Sequence, residues 1–463
     1  MDPGARYRRY SFWLDTCEDD LAPRDPLPGD LQVDVAIAGA GFSGLWTAYY
    51  LAKGDPTLRI AVLEKEIAGF GASGRNGGWC TATFSVPGAV VAESHGRDAA
   101  LATQRAMFDA VDEVGRVCAT ESIDAHYVKG GTVLVAMTPP QAERLRATVA
   151  EARAWGWSEE DWVWLEPAEV RARIDAKRCL GGAYTPHCAA LHPARLARGL
   201  ARAVEGLGVR IFEGTTVTAI ERGRVVTDRG VVRCDVAVRA LEGYSSELPG
   251  SHRLLLPLHI FMTATEPLPA SFWEEVGWRE RETLGDPSYS YLYAQRTADD
   301  RIALGGRAAR YPFGSNVRDV PGGHASTTEE LLGLLRSMFP AIGGVRATHE
   351  WGGYVGIARD WWGSVGLDPA RGLAWVGGLV GDGVSESNLG GRTVADLVLS
   401  HDTERTRLPW VGHRWRTWEP EPLRWLGIRA SMGLMLHADR VEARTGRSSR
   451  LTGLGLRLMG LSG

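Results

Sequence analysis

With 463 residues the chain exceeds the size of one ordinary domain, so two or three hydrophobic cores are expected. Hydrophobic residues make up 44% of the chain and charged residues 23%, a balance that excludes a disordered or fibrous protein. The formal net charge of -4 excludes a general basic surface, so we expect no nucleic-acid partner.

The cysteines and the apolar segments bear on the compartment. Six cysteines are scattered without CxxC spacing, which favours a reducing environment and gives no metal-binding pattern. The most apolar window, 254–262, is far shorter than the roughly 18 residues that a membrane span requires. Acidic residues near the N-terminus interrupt what would have to be the apolar part of an export signal. We expect a cytoplasmic protein without a membrane span.

The first chemical signal is a strand, a glycine turn and a helix near the N-terminus. Residues 33–38 form an apolar run that stops at glycine, as a buried parallel strand does before a phosphate-binding turn. The next six residues form a GxGxxG pattern. Gly39 permits the tight turn, Gly41 lets a pyrophosphate approach the backbone, and Gly44 lets helix and strand pack closely. Helix N-terminal amides would face the anion.

A second buried strand and an acid complete this unit. Apolar residues recur at helical spacing over 42–53, and an apolar run over 59–64 predicts the strand. Glu64 ends this run, where its carboxylate can accept hydrogen bonds from ribose hydroxyls. The alternative is a loop carboxylate without a ligand. The order of the elements predicts a dinucleotide-binding fold.

A second glycine-rich segment, GASGRNGG over 71–78, discriminates between cofactors. It offers backbone amides together with a cation and a side-chain amide. Nicotinamide enzymes usually need only the first glycine turn, whereas a flavin must be enclosed along its length. The segment therefore favours FAD, and its alternative is a flexible glycine loop.

The remaining chain returns twice to strand-like sequence. Short strands are predicted between 209 and 238, and a last apolar strand at 373–376 precedes a glycine-rich turn and a helix. The intervening stretches mix helices and strands, which indicates an inserted domain. An Arg- and Trp-rich tail follows, for which packing on the protein itself is favoured over a membrane-surface helix. The predicted domains are an FAD-binding domain over 30–105, 190–250 and 366–405, a substrate domain over 106–189 and 251–365, and a C-terminal tail over 406–463.

These patterns together resemble the D-amino-acid oxidase superfamily, and within it the glycine and sarcosine oxidases and gamma-glutamylputrescine oxidase. The resemblance is carried by both glycine segments and by Lys129-Gly130-Gly131, His192-Pro193-Ala194-Arg195 and Gly381-Asp382-Gly383-Val384. It covers about residues 30–400. It implies an α/β fold, in which a Rossmann-type FAD-binding domain carries an inserted antiparallel-sheet substrate domain and a helical C-terminal tail.

The resemblance also implies roles for single residues. The first glycines would meet the diphosphate, Glu64 the ribose, and Ser73, Arg75 and Asn76 the phosphates. Val217 matches a backbone contact to adenine, with a core valine as the alternative. The turn at 381–384 would face the flavin pyrimidine, where helix amides stabilise negative charge. The predicted cofactor-binding residues are Gly39, Gly41, Phe42, Ser43, Gly44, Glu64, Lys65, Gly71, Ala72, Ser73, Arg75, Asn76, Gly77, Gly78, Trp79, Val217, Leu379, Gly381, Asp382, Gly383 and Val384.

Two departures from relatives concern the flavin. Arg75 stands near the position of a histidine that binds FAD covalently in some relatives, and no cysteine follows Cys234, so noncovalent FAD is expected. No lysine follows Lys177, whereas sarcosine oxidases place a lysine near the flavin. The electron acceptor therefore stays open between oxygen and another molecule.

The resemblance implies oxidation of a small amine or amino acid to an imine by hydride transfer to flavin N5. Such transfer needs a neutral amine but no strict acid–base pair. His259, Tyr293 and Arg359 are the catalytic candidates, each with a core or surface role as its alternative. Two other functions stay open: a flavin-dependent dehydrogenase of a hydroxy acid or polyol, and a flavoprotein whose FAD is mainly structural.

Overall fold

A computed structural model describes residues 4–449, 451 and 453. The strands are β1 (Leu31–Gln32), β2 (Val35–Ala38), β3 (Ile60–Leu63), β4 (Trp79–Thr81), β5 (Thr132–Val135), β6 (Val163–Leu165), β7 (Gly182–Thr185), β8 (Cys188–Ala190), β9 (Arg210–Phe212), β10 (Val217–Glu221), β11 (Arg224–Thr227), β12 (Val231–Arg233), β13 (Val236–Arg239), β14 (Leu256–Thr265), β15 (Thr283–Asp286), β16 (Leu292–Arg296), β17 (Ile302–Arg310), β18 (Ala347–Ile357), β19 (Ser364–Asp368) and β20 (Leu373–Gly377). The α-helices are α1 (Ala5–Arg8), α2 (Phe12–Asp15), α3 (Phe42–Gly54), α4 (Gly88–His95), α5 (Arg97–Thr120), α6 (Pro139–Trp155), α7 (Pro167–Arg173), α8 (Pro193–Gly206), α9 (Ala270–Val276), α10 (Ala325–Met338), α11 (Gly383–Val398) and α12 (Leu423–Thr445).

A six-stranded sheet holds the predicted dinucleotide-binding unit, in the order β19-β20-β13-β2-β3-β9. All of its pairs are parallel except that of β19 with β20. Every residue of β2 and β3 is buried, because helices cover the sheet. The largest core cluster joins these strands to α3, α5, α8 and α11. The carboxyl ends of the parallel strands therefore meet at one edge.

The run predicted as strand between 231 and 238 is divided between two sheets. Strand β12 pairs antiparallel with β11 in a four-stranded sheet, whereas β13 enters the six-stranded sheet beside β2. The break follows from backbone hydrogen bonds: the amides of Asp235 and Val236 both donate to the carbonyl of Asp34, at 3.0 and 3.1 Å. This turn allows one strand-like stretch of sequence to contribute to two sheets.

An eight-stranded sheet, in the order β18-β14-β17-β16-β15-β5-β7-β6, forms the second layer. Its pairs are antiparallel except for β15 with β5. One face packs on α9 and α10 in a separate core cluster. The side chains of β14 alternate between the two faces, so Leu258, Ile260 and Met262 point together into a large cavity.

The two ends of the described chain pack onto this framework. Near the N-terminus, Phe12 and Trp13 are 1% exposed and share a core cluster with Trp351 of β18. Near the C-terminus, Ile428 of α12 packs with Trp418 in a cluster with the eight-stranded sheet. Among the described residues, no helix has both the length and the apolar character that crossing a bilayer would require.

Candidate functional site

Two adjoining cavities lie where the parallel strands end. The smaller has a volume of about 160 Å³ and the larger about 700 Å³. The carboxyl edge of a parallel sheet is the usual ligand site in such folds. The two cavities share one wall, because five residues line both of them: Ala72, Asn76, Val355, Gly381 and Val384.

The first glycine turn forms one wall of the smaller cavity. Gly39 has a φ of +102°, which few L-residues adopt, and a Cβ added at Gly44 would overlap the carbonyl oxygen of Gly39. The amides of Gly41 and Ser43 precede the first intrahelical hydrogen bond of α3, in which Leu45 donates to Gly41 at 2.9 Å. These amides and the helix dipole make this wall suited to an anion.

The second glycine segment is fastened to the first by Ser73. The Phe42 amide donates to Ser73 Oγ at 2.8 Å, and a Cβ at Gly41 would lie 2.9 Å from the same oxygen. Ala72 and Ser73 begin a 3₁₀ turn that runs to Gly74 and line the smaller cavity. Their amides provide a second group of donors close to the first.

Glu64 closes the far end of the smaller cavity. Its carboxylate accepts hydrogen bonds from the amides of Ala40 at 2.9 Å and Glu66 at 3.0 Å, which fix its orientation. Burial raises the pKa of Glu64 to about 7, against the lowering effect of these two amides. A carboxylate accepts about four hydrogen bonds, so lone pairs remain for the hydroxyl groups of a ligand.

The turn before α11 supplies the third wall. Glu242, which has a φ of +45°, accepts hydrogen bonds from the amides of Gly378 at 2.8 Å and Leu379 at 3.0 Å. Burial raises the pKa of Glu242 to about 7. The turn that Glu242 fixes leads to Gly383 and Val384, whose amides begin α11 at the cavity.

The predicted cofactor-binding residues are distributed over both cavities. The smaller cavity is lined by Gly39, Gly41, Phe42, Ser43, Glu64, Lys65, Gly71, Ala72, Ser73, Asn76, Val217, Leu379, Gly381, Gly383 and Val384. Arg75, Gly77, Trp79 and Asp382 line only the larger cavity. Gly44 and Gly78 line neither, because both lie in close packing beneath the loops.

Arg75 and Asn76, expected at phosphates, have structural partners instead. The Arg75 side chain forms an ion pair with Asp319 at 2.7 Å and donates to the Tyr244 hydroxyl at 2.8 Å. The Asn76 side-chain amide donates to the carbonyls of Ala72 and Ser73, at 3.1 and 3.0 Å. Both side chains hold the glycine segment in shape.

The sequence reasoning missed the support that α2 gives this segment. Trp13 Nε1 donates to the Asn76 carbonyl at 2.7 Å, and Ser11 Oγ donates to the Gly74 carbonyl at 2.9 Å. The sequence also did not predict the contacts of Tyr244, Glu242 and Asp319, because their partners lie far away in sequence. The run Phe12-Trp13-Leu14 was the one local signal, because such an apolar cluster requires a buried environment.

Three aromatic residues form a wall of the larger cavity. The Trp79 ring meets the rings of Tyr291 and Tyr293 edge-on, with centroids 6.3 and 6.2 Å apart. Gly77 leaves space for Tyr293, because a Cβ at Gly77 would lie 2.8 Å from the Tyr293 ring. Burial raises the pKa of Tyr293, so its hydroxyl stays protonated at neutral pH and can donate a hydrogen bond.

Asp382 is the carboxyl side chain that lines the larger cavity in the part of the chain that the structure describes. It directly precedes α11, and no hydrogen bond or ion pair to its carboxyl group occurs within residues 4–449. Burial raises the pKa of Asp382 to about 7. Burial chiefly, and then the charge of Asp382, raise the pKa of Tyr291, which lines the same cavity.

Three of the described basic residues line the larger cavity, and each of them lies beside a carboxylate. Arg75 pairs with Asp319 as described, and Arg307 forms an ion pair with Asp286. His187 lies 2.9 Å from Asp161. Both arginines that line this cavity in the described part of the chain are thus engaged by carboxylates, and burial lowers the pKa of His187.

Of the three catalytic candidates, only Tyr293 lines a cavity. His259 points to the opposite face of β14, where its ring stacks on Tyr354 with centroids 4.5 Å apart, and burial lowers its pKa to about 4. Arg359 forms an ion pair with Glu419 at 2.9 Å. His259 and Arg359 therefore line neither of the two cavities, and their catalytic role stays a prediction.

Comparisons with known proteins agree with this arrangement. The profile of the DAO family, described as FAD dependent oxidoreductase, matches residues 34–397. The gamma-glutamylputrescine oxidoreductase of Escherichia coli (strain K12) is 28% identical over 390 residues, covering 83% of this chain and 87% of that protein. A probable oxidoreductase, OrdL, of Rhizobium meliloti (strain 1021) is 28% identical over 394 residues, covering 82% and 86%.

Solved structures show the same fold. Glycine oxidase from Geobacillus kaustophilus superposes with a TM-score of 0.68 at 22% identity, covering 81% of this chain and 96% of that one. The L-amino acid deaminase from Proteus myxofaciens gives 0.69 at 16% identity, covering 84% and 94%. These matches confirm the predicted fold class, and the family profile confirms FAD as the cofactor. Since this profile spans most of the sequence and contains both glycine segments, the chain belongs to the DAO family of FAD dependent oxidoreductases.

Proposed function

We propose that this enzyme oxidises a small amine or amino acid to the imine, with the hydride passing to flavin N5. The carrying observation is the junction of the two cavities. A cofactor held by its diphosphate in the smaller cavity can extend past Ala72 and Val384 into the larger one. Relatives named for gamma-glutamylputrescine and glycine support an amine or amino acid as the electron donor.

In this proposal the backbone holds the cofactor more than side chains do. The amides of Gly41 and Ser43 and those of Ala72 and Ser73 bind the diphosphate, because all four face the smaller cavity. Glu64 accepts hydrogen bonds from the ribose, and Val217 lies against the adenine. The amides at the start of α11 lie by the pyrimidine. When bound, FAD supplies the ring that accepts the hydride.

We expect the cofactor to be bound without a covalent link. None of the six cysteines lines either cavity, and His187, the histidine of the larger cavity, is engaged by Asp161. Denaturation with acid should therefore release all the flavin into the supernatant. Flavin that stays with the precipitate would contradict this expectation.

The aromatic wall would act by position and by exclusion of water. Trp79 and Tyr293 present ring faces and edges to a substrate, and the Tyr293 hydroxyl can donate to it. A neutral amine has the lone pair that assists departure of the hydride. Orientation and a dry site are sufficient for such transfer, so a strict acid–base pair is not required.

The test is anaerobic reduction of the flavin. The holoenzyme is mixed with separate panels of amines, amino acids, hydroxy acids and polyols, and the oxidised flavin absorbance is followed. Bleaching by an amine or amino acid supports the proposal, and ammonia or amine release after hydrolysis of the imine identifies the bond oxidised. Bleaching by hydroxy acids or polyols alone, or by none of these, would overturn it. Admission of air then shows whether oxygen is the acceptor.

A further inference from the structure

One wall of the larger cavity comes from α12, which lies outside the part of the chain that the family profile matches. Ile428, Met432, Met435 and Leu436 line the cavity. Their spacing of four, three and one residues places them on one face of a helix. The helix therefore contributes a continuous apolar strip to the space next to the aromatic residues.

Polar contacts at both ends hold α12 in place. Near its start, Glu421 accepts a hydrogen bond from the Tyr311 hydroxyl at 2.6 Å and pairs with Arg424 at 3.1 Å. Near its end, Glu442 pairs with Arg144 at 2.8 Å through a side chain that is 2% exposed. The helix is thus a fixed part of the cavity.

A third contact joins α12 to the connection between β15 and β16 of the eight-stranded sheet. Asp439 accepts hydrogen bonds from the amides of Tyr289 and Ser290, both at 2.9 Å. Asp439 also lies 3.6 Å from Arg307, which is already paired with Asp286. Two carboxylates therefore surround the Arg307 guanidinium, which leaves it a poor partner for the carboxylate of a substrate.

The surface facing the α12 strip is apolar as well. Leu256, Ile357 and Trp418 line the same cavity and belong to one hydrophobic cluster with Ile428. Methionine side chains adapt to differently shaped apolar groups. This compartment would therefore accept an alkyl or aryl group, whereas a charged group would lose its hydration there.

On the side of the cavity away from the α12 strip, charged side chains determine which substrate groups can bind. Arg75 and Arg307 each have a carboxylate partner, whereas the Asp382 carboxyl group has no hydrogen-bond or ion-pair partner within residues 4–449. An ammonium group can form an ion pair with Asp382 and lie against the rings of Trp79 and Tyr291. Asp382 would repel a substrate carboxylate on the same carbon. Both arginines that line the cavity, Arg75 and Arg307, are already paired with carboxylates of the protein.

We propose that the substrate is an amine with an apolar substituent and no carboxylate on the carbon that bears nitrogen. Asp382 pairs with the ammonium group and accepts one of its protons, so that the neutral amine can release hydride from this carbon to the flavin. The α12 strip encloses the substituent. This inference rests on the proposed amine oxidation and narrows it to one class of donor.

The test uses two ligands that cannot be oxidised. 2-Phenylpropan-2-amine and 2-amino-2-phenylpropanoate have no hydrogen on the carbon that bears nitrogen and differ only by one methyl-to-carboxylate exchange. Their Kd values are measured by calorimetry on the holoenzyme. The proposal expects the amine to bind tighter by about tenfold or more. Equal binding, or tighter binding of the amino acid, would overturn it.

Variants of α12 test the role of the helix. Met435→Gln keeps the length of the side chain but places an amide in the apolar strip, so the Kd of 2-phenylpropan-2-amine should rise by about fivefold to tenfold. Met432→Gln is a second variant in case the first does not fold. The control is Leu426→Gln, because Leu426 is 52% exposed on the same helix and should bind like wild type. A folded Met435→Gln or Met432→Gln enzyme with unchanged Kd would overturn the role of α12.

The flavin-reduction panel also distinguishes a failure of this inference from a failure of the proposed function. Flavin that is bleached by amino acids but by no simple amine would overturn the inference and leave the proposed function standing. A holoenzyme that is reduced by neither class would overturn both. Faster bleaching by arylalkylamines than by amino acids of the same side chain supports both.

Discussion

The two cavities differ in what builds them. The smaller is formed largely by backbone amides of three turns, each at the end of a parallel strand. The larger is formed by side chains from both sheets and from α12, which are far apart in sequence. A cofactor shared by a whole family suits the first kind of site, since glycine turns recur as local motifs. Substrate choice suits the second, because single side chains can change without disturbing the turns.

The largest effect should follow from adding one methyl group to the backbone-built site. In Gly44→Ala the new Cβ would meet the Gly39 carbonyl, so the turn must open or α3 must shift. We expect the purified variant to lack FAD and to show no uptake of added FAD by absorbance or fluorescence. The matched control is Gly206→Ala, since a Cβ at this helical glycine meets no atom within 4 Å. Wild-type FAD content in Gly44→Ala would contradict the backbone account of the smaller cavity.

The next effect concerns Asp382 in the side-chain-built site. Asp382→Asn removes the proposed acceptor of the ammonium proton, so flavin reduction by the best amine at pH 7 should slow by about 10²-fold. The loss should shrink as pH rises toward the pKa of the amine, because bulk solvent then supplies the neutral form.

The wild-type pH profile gives a second reading of the same residue. Asp382 has a pKa of about 7, with Glu386 and Tyr291 as neighbours that are ionisable. The reduction rate should therefore fall as pH drops through 7, since the carboxylate is lost. Stopped-flow reduction of both enzymes across this range is the measurement. A constant ratio of the two rates at every pH would contradict the role of Asp382.

A smaller effect is expected at Glu64, in the backbone-built site. Glu64→Gln keeps the shape but loses the charge that accepts ribose hydroxyls, so the Kd for FAD should rise by about tenfold. Fluorescence titration of the apoprotein measures this change. Lys53→Gln is a suitable control, because Lys53 is exposed, pairs with Glu121 at 3.5 Å and lines neither cavity. An equal effect of the two substitutions would remove Glu64 from the ribose site.

Glu64 should also make the folding stability of the apoprotein depend on pH. Ionisation of Glu64 should lower this stability as pH rises, whereas ionisation of Asp382 should raise the reduction rate. The folded pKa of Glu64 is about 7 and thus above its unfolded value, so ionisation lowers the folding stability progressively as pH rises from the unfolded pKa, and the full cost is present once pH exceeds 7. Relative to wild type, Glu64→Gln should gain about 1–2 kcal/mol of stability at pH 8, allowing for partial exposure, and lose most of this gain near pH 4. Thermal unfolding at the two pH values checks it. The same difference at both values would contradict the buried-carboxyl account.

The sequence predicts the backbone-built site more fully than the side-chain-built site. The spacing of Gly39, Gly41 and Gly44 predicted the first turn, because these glycines act through local backbone geometry. Trp13 supports the second glycine segment from far away in sequence, and no local pattern encodes that contact. The position of His259 could not be predicted, because a strand presents alternate faces and the sequence did not show which face would meet the cavity.

The smallest effect is expected at Arg359, where the sequence pointed to the reaction site. Its guanidinium pairs with Glu419, which is 43% exposed, and contacts neither cavity. An exposed pair of this kind contributes at most about 1 kcal/mol to folding. Arg359→Ala should therefore reduce flavin at a rate within about twofold of wild type, with a small change in Tm. A rate loss as large as that of Asp382→Asn would mean that the side-chain-built site extends beyond the cavity, and that charge placement, not contact, selects the substrate.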